Sequence, residues 1–108
     1  MRVLIDIDGI LCEQVEVRSA WKVFDALPRY RNIEMVNDLY RKGNTIILYT
    51  ARVGRELDAE GISEEAETIK WLRKHEVLYH KIVFNKPWCD WFVDDRATTL
   101  EELSKKGE

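Results

Sequence analysis

The strongest indication of the fold comes from Val3-Leu4-Ile5-Asp6-Ile7-Asp8-Gly9. An unbroken apolar run is typical of a strand that is covered on both faces, and here the run ends in two aspartates and a glycine. Three further apolar runs follow, at residues 45–49, 81–84 and 91–93. Together with residues 3–7 they predict four strands, each with polar groups at its carboxyl end.

Apolar residues at helical spacing separate these runs, with Asn32 and Ser63 as the predicted N-caps of two helices. A third, short helix is predicted after Thr99, where the sequence has the form of a capping box. Alternating strands and helices predict an α/β fold, a three-layer, doubly wound, mostly parallel sheet with helices on both faces. The two apolar stripes are Ile33, Val36, Leu39 and Tyr40, and Ile62, Ala66, Ile69 and Leu72.

The length of 108 residues predicts one domain, residues 1–108, with residues 11–31 as a small flap that is too short for a full cap domain. The formal net charge is −3, which argues against a general polyanion binder. No apolar run reaches the roughly 18 residues of a membrane span. Two cysteines suit neither a disulfide scaffold nor a zinc site. We therefore expect a cytoplasmic protein with no membrane partner.

Acidic residues follow the first and the fourth predicted strands. Asp6 and Asp8 end the first, and Asp94 and Asp95 end the fourth. In a parallel sheet all four would meet at one edge, where they would repel one another without a counter-charge. Mg²⁺ suits a partly hydrated site with a few carboxylates, so the sequence predicts a magnesium site. The alternative is a solvated acidic rim with no ion.

The second and third predicted strands end in groups that suit a phosphoryl ligand. Thr50-Ala51-Arg52 follows the second strand and Lys86 follows the third. A hydroxyl, a backbone N–H and an ammonium beside carboxylates and a cation would hold a phosphoryl group and neutralise its charge. Arg52, Arg55 and Arg96 are candidates for binding a second anionic group of a substrate. The alternative for each is an ordinary strand-end or surface residue.

This set of groups suggests a reaction. A carboxylate can attack phosphorus to form an aspartyl-phosphate, and a second carboxylate can protonate the leaving oxygen and later activate water. The metal and Lys86 would screen the repulsion between nucleophile and substrate.

The ordered set Asp6-x-Asp8-Gly9, Thr50, Lys86 and Asp94-Asp95 resembles the four motifs of the haloacid dehalogenase (HAD) superfamily, over nearly the whole chain. The stretches around Thr50, Lys86 and Asp94 resemble small, minimally capped HAD phosphatase-like proteins, some of them associated with polysaccharide synthesis. The resemblance implies an Mg²⁺-dependent phosphomonoester phosphatase.

The resemblance also implies a role for each matched residue. Asp6 would be the nucleophile and a metal ligand, and Asp8 the general acid/base with its carbonyl oxygen on the metal. Thr50 and Lys86 would bind the phosphoryl group. Asp94 and Asp95 would complete the metal site, and which of the two ligates directly stays open.

The sequence departs from the HAD pattern at Ile10, where a threonine is usual. The missing hydroxyl removes one hydrogen bond, which we expect to be tolerated because every charged position is present. The resemblance implies a sugar phosphate or nucleotide-sugar phosphate as substrate, and an uncapped site also suits a nucleic-acid end phosphate. Trp88 and Trp91 either form a wall of the pocket or cover the sheet edge. The sequence leaves the oligomeric state open between a monomer and a homodimer. The competing functions are a non-catalytic protein that binds phosphate and Mg²⁺, and a phosphoacceptor signalling module, whose motifs come in a different order.

Overall fold

The computed structural model of the protein describes residues 1–14, 23–54, 57 and 61–106. The described strands are β1 (Arg2–Ile5), β2 (Thr45–Tyr49) and β3 (Lys81–Val83). The described helices are α1 (Tyr30–Arg41), α2 (Glu64–Lys74) and α3 (Leu100–Lys106). Strands and helices alternate along the chain, as the sequence predicts for an α/β fold. No helix in these residues is long and apolar enough to cross a membrane.

The three strands form a parallel sheet in the order β1-β2-β3. Val3 lies opposite Ile46, and Ile5 lies opposite Leu48, so these side chains share one face of the sheet. Because all three strands run the same way, their carboxyl ends meet at one edge. This edge carries the polar residues that the sequence singles out.

The core lies on the face of the sheet that carries Ile46 and Leu48. Both side chains are fully buried, together with Val36 and Leu39 of α1. Trp71 of α2 is fully buried in the same cluster, and its indole N–H donates to the carbonyl oxygen of Ala26 at 2.8 Å. The described residues therefore share one apolar core between the sheet and the two long helices.

Among the described residues, no element fully covers the opposite face of the sheet. Leu4 points to that face and is 57 % exposed, although its neighbour Ile5 is buried. Ile47 and Tyr49, which share this face, are half-buried. The unbroken apolar runs predict strands covered on both faces, but burial alternates along β1 and β2. The sequence could not show this difference, because it depends on which element packs against the second face.

The predicted fourth strand at residues 91–93 is wrong for this structure. The segment has no strand structure, and Trp91 and Val93 are 87 % and 95 % exposed. β2 is the only described strand that pairs with β1, so the segment has no backbone partner to bury it. The short helix that follows is confirmed, and Thr99 caps it by accepting a hydrogen bond from the Glu102 backbone N–H at 3.2 Å.

The two predicted N-caps have different outcomes. Ser63 caps α2 as predicted, accepting a hydrogen bond from the Ala66 backbone N–H at 3.1 Å. Asn32 does not cap α1, which begins two residues earlier. Its side chain instead donates to the carbonyl oxygen of Ile10 at 2.7 Å, so it ties α1 to the loop after β1.

The described ends of the predicted flap are attached to the body of the protein. Leu11, Cys12 and Val23 are fully buried, and the Arg29 backbone N–H donates to the carbonyl oxygen of Leu11 at 2.8 Å. Residues 15–22, the middle of this segment, lie outside the described residues, and so does Arg55.

Candidate functional site

Asp6 and Lys86 form an ion pair at the carboxyl edge of the sheet. The Lys86 ammonium lies 3.4 Å from the Asp6 carboxylate and 5.2 Å from the centre of the Tyr49 ring. Asp6 also accepts a hydrogen bond from the Ile7 backbone N–H at 2.8 Å, which fixes one of its oxygens. The Asp6 side chain is 41 % exposed, so its carboxylate is open to a ligand.

The loop after β3 places Lys86 at this edge through backbone contacts. Asn85 has a φ of 63°, in the left-handed region that asparagine tolerates better than most residues. The Asn85 backbone N–H donates to the carbonyl oxygen of Arg52, and that of Lys86 donates to Thr50, both at 2.9 Å. Asn85 also accepts a hydrogen bond from the Gly54 backbone N–H at 3.1 Å. The loops after β2 and β3 are thus held together next to the ion pair.

Asp8 and Arg52 form a second, buried ion pair. Two guanidinium nitrogens of Arg52 donate to the two carboxylate oxygens of Asp8, at 2.8 and 3.0 Å. A third nitrogen donates to the hydroxyl of Thr68 on α2 at 3.0 Å. The Arg52 side chain is 0 % exposed. Such a two-pronged contact between planar groups fixes the orientation of the carboxylate as well as its position.

This arrangement changes the role predicted for Arg52. The sequence makes it a candidate for binding an anionic group of a substrate, but the structure directs its guanidinium into the protein. Arg96 is the other described arginine predicted for that role. It is exposed and does not line the cleft beside Asp6 and Lys86.

Thr50 lies at the end of β2 as predicted, but it is fully buried. Its backbone N–H donates to the carbonyl oxygen of Val83 at 3.0 Å, so this N–H continues the pairing between β2 and β3. Its hydroxyl oxygen accepts a hydrogen bond from the Arg52 backbone N–H at 3.1 Å. Neither of these contacts uses the hydrogen of the Thr50 hydroxyl group.

A cleft of about 210 Å³ opens beside the Asp6–Lys86 pair. Asp8 and Ala51 line it on the sheet side, and Trp88, Asp90 and Phe92 line it on the loop side. Asp90 and Phe92 were not predicted from the sequence as site residues. Both follow Pro87 in the sequence. Because a strand was expected at residues 91–93, site residues were expected only at its carboxyl end, at Asp94. Charge and aromatic content in that loop were the signal that could have found them.

Asp94 and Asp95 do not line this cleft. Both are exposed, and the Asp94 carboxylate accepts a hydrogen bond from the Arg96 backbone N–H at 2.7 Å. Among residues 1–14, 23–54, 57 and 61–106, no group of three or more His, Cys, Asp or Glu side chains is arranged to hold a metal ion. The predicted ligands of Mg²⁺ are therefore not gathered in this structure.

Cys12 borders the buried ion pair. Burial of the thiol raises its pKa from 9.0 to about 12, and the nearby Asp8 carboxylate acts in the same direction, while Arg52 opposes it. The Cys12 thiol is therefore protonated at neutral pH and is not a nucleophile. Cys89, in contrast, is exposed at the cleft.

Comparisons with known proteins support the fold class. No protein-family model matches the chain, and no curated protein matches it. A crystal structure of an MCSG target from Vibrio cholerae is similar, with a TM-score of 0.73 and 27 % sequence identity. The match covers 95 % of this chain and 86 % of that one. The likeness agrees with a small α/β protein built on a parallel sheet.

Proposed function

We propose that the protein hydrolyses phosphomonoesters through a phosphorylated Asp6. The observation that carries this proposal is the Asp6–Lys86 pair, whose carboxylate and ammonium lie 3.4 Å apart at the mouth of a cleft. A carboxylate is a competent nucleophile toward phosphorus when a cation neutralises the approaching phosphate. The order of the HAD-like motifs along the sequence supports the same reaction.

The proposed first step transfers the phosphoryl group to Asp6. The reaction starts from the form in which one oxygen of Asp8 carries a proton taken from solvent. A carboxylate oxygen of Asp6 attacks phosphorus, the bond from phosphorus to the ester oxygen breaks, and Asp8 passes its proton to the leaving oxygen. Water then attacks the aspartyl-phosphate and gives its proton to Asp8, and the bond between phosphorus and the Asp6 oxygen breaks. Inorganic phosphate leaves, and both aspartates return to their initial states.

The other groups at this edge of the sheet have supporting roles in this proposal. Lys86 binds the phosphoryl oxygens and offsets their charge, and Thr50 donates its hydroxyl hydrogen to the same group. Ala51 lines the cleft and places its backbone near the phosphoryl group. Arg52 holds the Asp8 carboxylate in place from behind, and this contact explains why an arginine at this position is buried.

Mg²⁺ remains the proposed cofactor, although the described residues do not assemble its ligands. When bound, the ion would neutralise phosphate charge. Asp6, the Asp8 carbonyl oxygen and one of Asp94 and Asp95 are the groups that would hold it.

The three-layer arrangement would need a further layer on the second face of the sheet. Leu4, Ile47 and Tyr49 give that face an apolar character, and parallel sheets are normally covered on both faces.

The proposal is tested by turnover of an aryl phosphate in the presence of Mg²⁺. We expect the wild-type protein to release phosphate and Asp6→Asn to lose more than 99 % of that rate, because an amide is a far weaker nucleophile. Asp38→Asn is the matched control, since Asp38 is an exposed carboxylate on α1 that pairs with Arg41. It should retain the wild-type rate.

Acid quenching during turnover gives an independent measurement. Mass spectrometry of the quenched protein should find a phosphoryl group on the peptide that contains Asp6. Saturable binding of phosphate with no turnover of any phosphomonoester would overturn the proposal in favour of a non-catalytic phosphate-binding protein.

A further inference from the structure

Two chemically different groups of side chains line the cleft. Asp6 and Lys86 form the ion pair, and Trp88 and Phe92 are large aromatic side chains. Trp88 is 77 % exposed and Phe92 is 63 % exposed. Exposed aromatic rings that border a polar binding site are typical of surfaces that receive a ligand.

The loop that carries Trp88 is fixed close to the ion pair. Lys86 is bonded through its backbone to Thr50, and Pro87 follows it with a restricted φ. Trp88 is therefore only two residues from the group that is proposed to hold the phosphoryl oxygens. A ring attached to that phosphoryl group would lie within reach of the indole.

Charge beside the aromatic side chains restricts what can bind there. Asp90 lies between Trp88 and Phe92 in the sequence and lines the cleft with them, and Lys86 is the only lysine or arginine among the described residues that line it. Among the described residues, a second phosphate or a carboxylate on the ligand would thus meet Asp90 with no cation beyond Lys86 to pair with it. A hydroxyl or amino group would instead donate a hydrogen bond to Asp90.

We infer that the substrate is the phosphate monoester of an uncharged, ring-containing alcohol, whose ring stacks on Trp88 while its donors face Asp90. This inference rests on the proposed function and narrows it to a class of leaving group. A nucleoside and a hexose both have this chemistry, since each offers a ring face and hydroxyl groups. A nucleic-acid end, with its adjoining phosphates, does not.

The experiment compares four phosphate esters with the wild-type protein: a nucleoside 5′-monophosphate, a hexose 6-phosphate, glycerol 2-phosphate and a nucleoside 3′,5′-bisphosphate. We expect kcat/KM to be highest for one of the first two, which identifies the ring. Trp88→Leu should lower the preference for that ester over glycerol 2-phosphate by about five- to 150-fold. This factor corresponds to about 1–3 kcal/mol of stacking, at about 1.4 kcal/mol per tenfold change.

Two matched variants show whether the ring face is responsible. Trp88→Phe keeps an aromatic face and should retain most of the preference, whereas leucine keeps only the bulk. Tyr30→Ala removes an exposed aromatic side chain at the start of α1, outside the cleft lining, and should leave all four rates unchanged.

Binding of the same esters is measured separately, by isothermal titration calorimetry, with the wild-type protein and Trp88→Leu. Equal turnover of all four esters, unchanged in Trp88→Leu, would overturn the ring inference and leave the phosphatase proposal standing. Trp88-dependent binding of a ring ester with no turnover would overturn the phosphatase proposal and leave the stacking of a ring on Trp88 standing. Faster turnover of the bisphosphate than of the monophosphate would overturn the inference that the leaving group is uncharged.

Discussion

Arg52 shows how one residue connects the candidate site to the rest of the fold. Its guanidinium bonds Asp8 after β1 and Thr68 on α2, while its own backbone follows β2. The sequence correctly predicts that Asp8 and the 50–52 stretch share one edge of the sheet. It could not predict that Arg52 turns inward, because that depends on Thr68, sixteen residues away, presenting a hydroxyl on the buried side of a helix.

Replacing Arg52 should destabilise the fold strongly. Arg52→Met removes the guanidinium from the buried Asp8 carboxylate, and breaking a buried ion pair in this way costs about 3–5 kcal/mol. We expect urea denaturation to show a loss of this size. Arg52→Lys keeps the charge but not the two-pronged contact, so its loss should be smaller. Equal stability of Arg52→Met and wild type would contradict a buried pair.

The two cysteines should differ sharply in their reactivity toward an alkylating agent. At pH 8 the exposed Cys89 should react, while Cys12 should not, because its raised pKa keeps it protonated and its burial blocks access. Addition of denaturant should expose Cys12 to the reagent. The measurement is mass spectrometry of native and unfolded protein, with Cys89→Ser as the control that should stay unmodified when folded.

Among the elements, α2 shows where helical periodicity succeeds and where it does not. The predicted stripe names Leu72, which is buried, but also Ala66, which is exposed. The face that is buried carries Thr68 and Trp71 instead. Apolar spacing alone could not predict that Thr68 is buried and Ala66 is exposed, because Thr68 is buried where its hydroxyl accepts a hydrogen bond from the Arg52 guanidinium. The N-cap at Ser63 is local, and it was therefore predictable.

His75, at the end of α2, should make the stability of the protein sensitive to mild acid. Burial, and then the nearby Lys74, lower the pKa of His75 in the folded state below its ordinary value of 6.5. The unfolded chain therefore binds this proton more readily, and the free energy of unfolding should fall as the pH drops below about 6.5. His75 packs against the Trp71 ring, with 4.5 Å between ring centres.

Urea denaturation at pH 7 and pH 5 measures this effect. His75→Phe keeps an aromatic ring beside Trp71 but cannot take up a proton, so it should lose less stability between the two pH values than the wild type. An equal or greater loss in His75→Phe would show that another group causes the pH dependence.

For the whole molecule, the sheet has one covered face and one open face. The apolar runs predict the three strands and their parallel direction, and the structure contains them. They also predict a fourth strand at residues 91–93, which the structure lacks. Local composition cannot decide this, because an apolar run of three residues forms a strand only if a neighbouring strand edge accepts it.

Leu4 and Ile5, which lie on opposite faces of β1, allow the burial of the two faces of the sheet to be compared. Ile5→Ala should cost about 2–5 kcal/mol, because Ile5 is buried in the core, whereas Leu4→Ala should cost less than about 1 kcal/mol. Thermal or urea denaturation gives both values. A cost for Leu4→Ala as large as that for Ile5→Ala would mean that a further layer covers the second face in solution.

The contact of Arg52 with both Asp8 and Thr68 also bears on how this chain can diverge. Losing any one of the three removes a buried hydrogen bond from another, so single replacements at these positions should be rare among descendants of a common ancestor. Substitutions at positions 8, 52 and 68 should instead be correlated. An aligned set of homologues in which arginine at 52 persists beside an apolar residue at 8 would speak against that shared history.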